Sequence, residues 1–451
     1  MNEMPRPSLT PETLFARDTL WQSWLDVEAA LARAQAKLGM IPEWAAVEIT
    51  RAADIRRLDR EALAADVART LAPILSITRS LAAASGPAGD FVHWGATTQN
   101  VMQTGQILLL READQAIRAH LATGVEHLGR MARDHAGTLM AGRTNRQHAL
   151  PMTFGFKVAG WIEEMDRVEE RLSTSAQRLF SLPFGGAVGA MHAYGEQGRE
   201  LNRQMARDLG LRELLVPSRT VNDLFVEYLV QLALLAMTVE RIMGELYRLM
   251  TEEVGEIAER LDEGTIGSST MPQKINPKHV VRVISQAIEL RGTAGPALES
   301  SRSSHEGDAV ANQLLSSLVE KAVPLTWKMA DGFAKALDRI IVVPERMREN
   351  LDRSGGAIAS EKLMMVLAPL VGRAQAHDLV HHVLEHAMEE GLSPRAAMLA
   401  DAEIGRHLTA GEIEAALDPA SYVGDSVEIA ESAAELTTRL SRRLRRAQAG
   451  V

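Results

Sequence analysis

Residues 221–261 contain no proline, and only Gly244 and Gly255 interrupt them. As one helix they would span roughly 60 Å at about 1.5 Å per residue. The first half, Leu224-Phe225-Val226 through Leu232-Ala233-Leu234-Leu235-Ala236-Met237, is apolar nearly all round. Such a helix must be buried on most faces, in the middle of a bundle or at a subunit interface. It contains Glu227 and Gln231 and falls short of a membrane span. Residues 97–135 and 153–180 also lack proline, so several long helices are expected in an elongated core. Leu20, Trp24, Val27 and Leu31 keep the three-to-four spacing of an amphipathic helix. Alternating apolar and polar runs are absent, and Asn-Gly or Asp-Gly hairpin turns are few. With aromatics at 4% and Ala, Leu, Glu and Arg abundant, the fold is expected to be mainly α.

A chain of 451 residues exceeds one typical core. Breaks fall at Ser85-Gly86-Pro87-Ala88-Gly89, at Ser181-Leu182-Pro183-Phe184-Gly185-Gly186 and at Val342-Val343-Pro344. They place an N-terminal helical domain at 1–92, a central long-helix bundle at 93–343 and a C-terminal helical domain at 344–451. Net charge is −10 without a basic run, which argues against nucleic acid and membrane as partners. A local cluster of Arg, Lys and backbone donors can still bind a small anion. The absence of cysteine excludes disulfides and thiolate catalysis. Met1-Asn2-Glu3-Met4-Pro5-Arg6 lacks the pattern of a secretory signal, so a cytoplasmic enzyme is expected. His377, His381, His382 and His386 stack as pairs on a helix, but no third ligand is fixed by the sequence. They read as a solvated face, and no metal or other cofactor is expected.

Three segments are locally odd for core packing. His93-Trp94-Gly95-Ala96-Thr97-Thr98-Gln99-Asn100 is small and polar just before a long helix. Its hydroxyls and amide can cap that helix, and the same geometry aims donors at an anion. Gly142-Arg143-Thr144-Asn145-Arg146-Gln147-His148-Ala149-Leu150-Pro151 concentrates donors between two helical stretches. The third, Gly267-Ser268-Ser269-Thr270-Met271-Pro272-Gln273-Lys274-Ile275-Asn276-Pro277, follows a glycine with three hydroxyls and adds a lysine. Such a stretch, within a loop at 264–278, can close over an anion and deliver a base; the alternative is a linker joining two helices.

Together and in this order, the three segments resemble the fumarase/aspartase superfamily, which includes class II fumarase, argininosuccinate lyase and adenylosuccinate lyase. The third is similar to its G-S-S-x-M-P-x-K-x-N loop. Val92 to Asn100 resembles the V-H-x-G-A-T-S-Q-D stretch of the 3-carboxy-cis,cis-muconate cycloisomerase and adenylosuccinate lyase branch. Gly142-Arg143-Thr144 with Gln147-His148-Ala149 and Pro151, Leu182 to Gly189, and His305-Glu306 look closest to the cycloisomerase-like members. The resemblance implies a three-domain helical fold and a homotetramer with a core of about 20 helices. Active sites would be shared between subunits. It implies Ser268 as general base, with Lys274 and Asn276 holding the substrate carboxylate. Thr97, Thr98, Thr144 and Gln147 would hold the other carboxylate end. Gln99, Asn100, Arg143, Asn145, Ser269 and Met271 complete the implied substrate-binding set.

Departures narrow the reading. Asn145 stands where many superfamily lyases carry a histidine proton donor, and Asn100 stands where the branch usually has Asp. Candidate donors in its place are His148 and His305, with Glu306 as an orienting carboxylate. Asn222-Asp223 replaces a common Arg-Asp, Gln273-Lys274-Ile275 replaces His-Lys-Arg, and no His-Asp pair surrounds Thr70-Leu71. A nucleotide substrate is therefore not expected. The leading expectation is reversible β-elimination on a 2-substituted succinate-type polycarboxylate, releasing fumarate through an aci-carboxylate intermediate. The alternatives are 3-carboxy-cis,cis-muconate cycloisomerisation and a non-catalytic structural homologue.

Overall fold

The computed structural model describes residues 8–446. The N-terminal hexapeptide used in the signal-sequence argument lies outside them. Long helices dominate: α1 (Arg17–Lys37), α2 (Thr98–Asp134), α3 (Phe154–Leu179), α4 (Asp223–Leu249), α5 (His279–Arg291), α6 (Ala309–Asp338), α7 (Ser360–Val371), α8 (Arg373–Glu389) and α9 (Ser426–Arg446). The proline-free stretches 97–135 and 153–180 are α2 and α3 almost to the residue.

The stretch 221–261 is not one helix. It ends as α4 at Leu249, turns through Gly255 in the left-handed region (φ 63°), and continues as the short strand β5 described below. The apolar periodicity stops at Leu249, and Thr251-Glu252-Glu253 gives a further turn nothing to bury. Up to that point the expectation of deep burial holds: Leu232, Leu235, Ala236, Val239, Ile242, Met243 and Leu246 are fully buried.

Among the described residues, three two-stranded ribbons accompany the helices, although no alternating pattern marks them. Strands β1 (Leu139–Thr144) and β2 (Gln147–Thr153) form an antiparallel hairpin with Arg143 opposite His148. Strands β3 (Ser181–Leu182) and β4 (Arg212–Glu213) pair in parallel. The last ribbon pairs β5 (Ile257–Glu259) with β6 (Ile340–Val342).

One continuous apolar core joins α1 and the rest of the N-terminal segment to α2 through α6. Leu440 and Leu444 of α9 enter that core, so the chain returns from its C-terminal third to the bundle along α2 and α3. A separate core gathers Leu363, Leu367, Val380, Val383, Met398, Ile413 and Leu417 around α7 and α8.

Inside the bundle, a buried ionic network ties three helices. Arg118 donates to Asp114 (2.6 Å) on α2 and to Ser173 (3.0 Å) on α3. The Tyr228 hydroxyl of α4 donates to the other oxygen of Asp114 (2.9 Å). Removing water from a guanidinium is tolerable only when such partners replace it.

Among the described residues, no single helix is long and apolar enough to cross a membrane. Nor are three or more His, Asp or Glu side chains grouped to hold a metal ion. His377 and His381 stack at 5.9 Å on an exposed face, and His381 meets Glu385 at 3.2 Å.

Candidate active site

The segment before α2 is built around two left-handed residues. His93 (φ 61°) and Gly95 (φ 77°) both adopt left-handed backbone. At Gly95 any Cβ would meet Tyr194 Cε1 at 2.5 Å, so only glycine fits. The His93 Nδ1 lies 2.6 Å from the buried Glu28 carboxylate of α1. Burial alone would lower the imidazole pKa, but the hydrogen bond and charge of Glu28 outweigh it and raise it. This anchor sets where α2 begins. Thr97 takes the capping position with no side-chain cap bond, and among the described residues neither Thr97 nor Thr98 has a side-chain hydrogen bond. Their hydroxyls are therefore free for a ligand.

The next two residues are committed inward. Asn100 is fully buried, donates to Pro183 O (3.1 Å) and accepts from Gly186 N (2.8 Å), so it clamps the 183–186 loop. Gln99 donates to Arg219 O (2.7 Å) and accepts from Arg219 Nε (3.0 Å). Both were expected to touch substrate; in the protomer they position the backbone and Arg219. Asn222 donates to Asn312 (3.2 Å) and accepts from Gln103 (3.2 Å), extending this amide network to α6. Arg219 and Asn312 carried no sequence motif and went unnoticed there.

The second segment is a hairpin rather than a donor-rich link between helices. Asn145 (φ 48°) and Arg146 (φ 68°) are both left-handed, the geometry of a two-residue type I′ turn. Asparagine tolerates that conformation well, so its backbone fit explains the residue at 145 as well as any chemistry does. Arg143, expected at the substrate, forks onto the buried Glu256 carboxylate with bonds of 3.0 and 2.5 Å, and Asn350 donates to the same group at 2.8 Å. It ties down the hairpin one residue pair from its tip. Thr144, Asn145, Gln147 and His148 stand exposed at the tip without side-chain bonds. Partial burial, then the nearby Arg143, lower the His148 pKa. The imidazole is thereby biased to its neutral form.

The third segment hangs between β5 and α5, pinned by one carboxylate that the sequence did not advertise. Buried Glu259 accepts from the N–H groups of Lys278 (2.7 Å), His279 (2.9 Å) and Val280 (3.0 Å) at the start of α5. Within the loop, Asn276 Nδ2 donates to Gly267 O (3.0 Å) and closes the Ser-rich turn. Ser268 Oγ receives two backbone N–H groups, from Met271 (3.1 Å) and Thr270 (3.4 Å). Ser269, Met271 and Lys274 project from an exposed loop, and among the described residues the Lys274 ammonium has no ion-pair partner.

His305 (φ 49°) and Glu306 occupy a tight loop closed by Asp308, which accepts from Ser304 and caps α6. Both side chains are exposed, and no bond joins Glu306 to His305 or to His148. The orienting role expected of Glu306 has no contact within the protomer. Among the described residues, no hydrogen bond or ion pair joins the 267–277 loop to the hairpin tip or to Thr97–Thr98.

A sequence model of the family described as "Lyase" matches residues 10–292, and one described as "Adenylosuccinate lyase C-terminus" matches residues 356–433. The chain belongs to the fumarase/aspartase superfamily. It is thus an enzyme of the lyase class. It is 36% identical to the N-acetyl-S-(2-succino)cysteine lyase of Dickeya dadantii over 89% of this chain and 88% of that protein. It is 34% identical to the adenylosuccinate lyase of Methanothermobacter thermautotrophicus, covering 94% and 96%. Its fold matches the 3-carboxy-cis,cis-muconate lactonizing enzyme of Pseudomonas putida with a TM-score of 0.88 at 29% identity, covering 95% and 97%. Whole-chain identity spans several branches of the superfamily, so the substrate has to be argued from residues.

Proposed function

We propose that the protein catalyses reversible β-elimination on a 2-substituted succinate, releasing fumarate, with Ser268 as the base. The observation that carries this reading is the pair of backbone N–H groups aimed at Ser268 Oγ. A serine hydroxyl is too weak a base at neutral pH, and donors directed at its oxygen stabilise the alkoxide that can take a proton. The base removes a proton from the carbon next to a carboxylate. The carboxylate takes up the charge as an aci-carboxylate, and the substituent on the neighbouring carbon leaves as the double bond forms. Lys274 and Asn276 would meet that carboxylate, and Thr97, Thr98, Thr144 and Gln147 the other end. His148 or His305 would return a proton to the leaving group. No metal or cofactor is needed for these steps.

The name of the Dickeya dadantii relative places a succinyl group on sulfur, which supports a succinate substituted at its second carbon. The likeness to a muconate lactonizing enzyme keeps cycloisomerisation of 3-carboxy-cis,cis-muconate as the second reading, because it uses the same proton transfer.

The assembly belongs to the proposal too. Among the described residues no hydrogen bond or ion pair joins the 267–277 loop to the hairpin tip or to Thr97–Thr98, and Ile266 and Ile275 beside Ser268 are 71% and 68% exposed. A homotetramer whose sites combine segments of different subunits would cover these side chains. A panel of 2-substituted succinates and carboxymuconate, read by ultraviolet absorbance, separates the two reactions. Fumarate formed by the wild type and lost in Ser268→Ala supports elimination, whereas turnover of carboxymuconate alone supports the second reading.

A further inference from the structure

Arg219 is the residue of this region that neither the motifs nor the proposed chemistry uses. It stands half-buried between α2 and α6. Its Nε donates to Gln99 (3.0 Å), one residue from Thr98, and its Nη1 donates to Ala187 O. Its backbone carbonyl accepts from Gln99 as well. These bonds hold the guanidinium in one orientation. Among the described residues the remaining nitrogen, Nη2, has no hydrogen-bond partner, and it lies against the loop that carries His305 and Glu306. The backbone of that loop lies close beside it: a Cβ built at Gly307 would stand 3.3 Å from Nη2.

Among the described residues, no carboxylate forms an ion pair with Arg219. Its neighbours in the network, Gln99, Gln103, Asn222 and Asn312, are neutral amides. An oriented arginine without an internal counter-charge can receive a carboxylate through its remaining Nη2 N–H groups, because a guanidinium already held in place loses little more freedom on binding. In the proposed reaction Lys274, Asn276 and the threonines already account for both carboxylates of the succinyl half.

We propose that Arg219 is a specificity-determining residue that selects substrates with a further anionic group on the leaving-group side. The inference rests on the elimination reading for the naming of that side, but binding tests it separately. The probes are 2-(carboxyethyl)succinate and its terminal amide. Both are carbon analogues that cannot eliminate, and only the first carries the third charge.

Calorimetry on the wild type should show tighter binding of the tricarboxylate. Arg219→Gln should weaken the tricarboxylate by about tenfold to a hundredfold and leave the amide within about threefold. Arg219→Lys should keep part of the preference. Equal loss of both probes in both variants would mean that Arg219 only holds the 187 loop, and equal wild-type binding of the two probes would overturn the assignment outright. Discrimination between the probes, together with no fumarate from the panel of 2-substituted succinates, would keep the receptor and sink the elimination reading.

Discussion

His93 shows how one residue can serve position rather than chemistry. The ring is held in left-handed backbone by a buried carboxylate, and that pair decides where Thr97 and Thr98 sit. Its folded pKa is raised above the ordinary value of 6.5, so the folded state binds the proton more tightly than the unfolded chain. The pair's stabilisation is therefore fully present below about pH 6.5 and lost as pH rises through the higher folded value. The urea midpoint of the wild type should exceed that of His93→Gln most in mild acid, with the gap shrinking toward alkaline pH. A gap that widens with pH would refute the assignment. At Gly95, alanine adds left-handed strain and a clash with Tyr194, a combined cost of about 2–4 kcal/mol. Thermal unfolding of Gly95→Ala measures it, and a change below about 0.5 kcal/mol would show that the segment can move aside.

Residue by residue, the candidate site was only partly legible. Ser268, Lys274 and Asn276 are visible because several chemically demanding residues share one short stretch. Gln99, Asn100 and Arg143 look identical in sequence to ligand-binding groups, yet their partners Arg219, Pro183 and Glu256 are distant in the chain. Only folding reveals that their hydrogen-bonding capacity is already used. Glu259 escaped notice for the same reason.

At the scale of elements, prolines and apolar spacing located α2 and α3 well, because both are long and uninterrupted. The hairpin was hidden because its turn is Asn145-Arg146, which lacks the glycine that normally announces two left-handed residues. The end of α4 was hidden because nothing but lost periodicity marks it. Helix α6 carries Pro324 in its interior, which a reading based on proline-free runs passes over. The packing of α2, α3 and α4 depends on the Asp114–Arg118–Tyr228 network. Asp114→Ala leaves a fully buried guanidinium without its main counter-charge and should cost about 3–5 kcal/mol. Chemical denaturation tests this, and a loss under 1 kcal/mol would mean that Glu169, 3.9 Å away, takes over.

At the scale of the molecule, the helical class followed from composition and helix length alone, whereas the division into domains is blurred by shared packing. The N-terminal segment buries Trp21, Leu25 and Leu31 in the same core as the bundle, and α9 returns to it from the far end of the chain. Within the chain, half-buried Ser268, the exposed hairpin tip and Thr97–Thr98 are not joined by hydrogen bonds or ion pairs among the described residues, so the proposed chemistry calls for assembly. The most direct test of the account is fumarate release from 2-substituted succinates by wild type and by Ser268→Ala, at matched folding and oligomeric state. The account predicts release by the wild type and a fall of about a hundredfold to ten-thousandfold in the variant. Undiminished release by Ser268→Ala would contradict it.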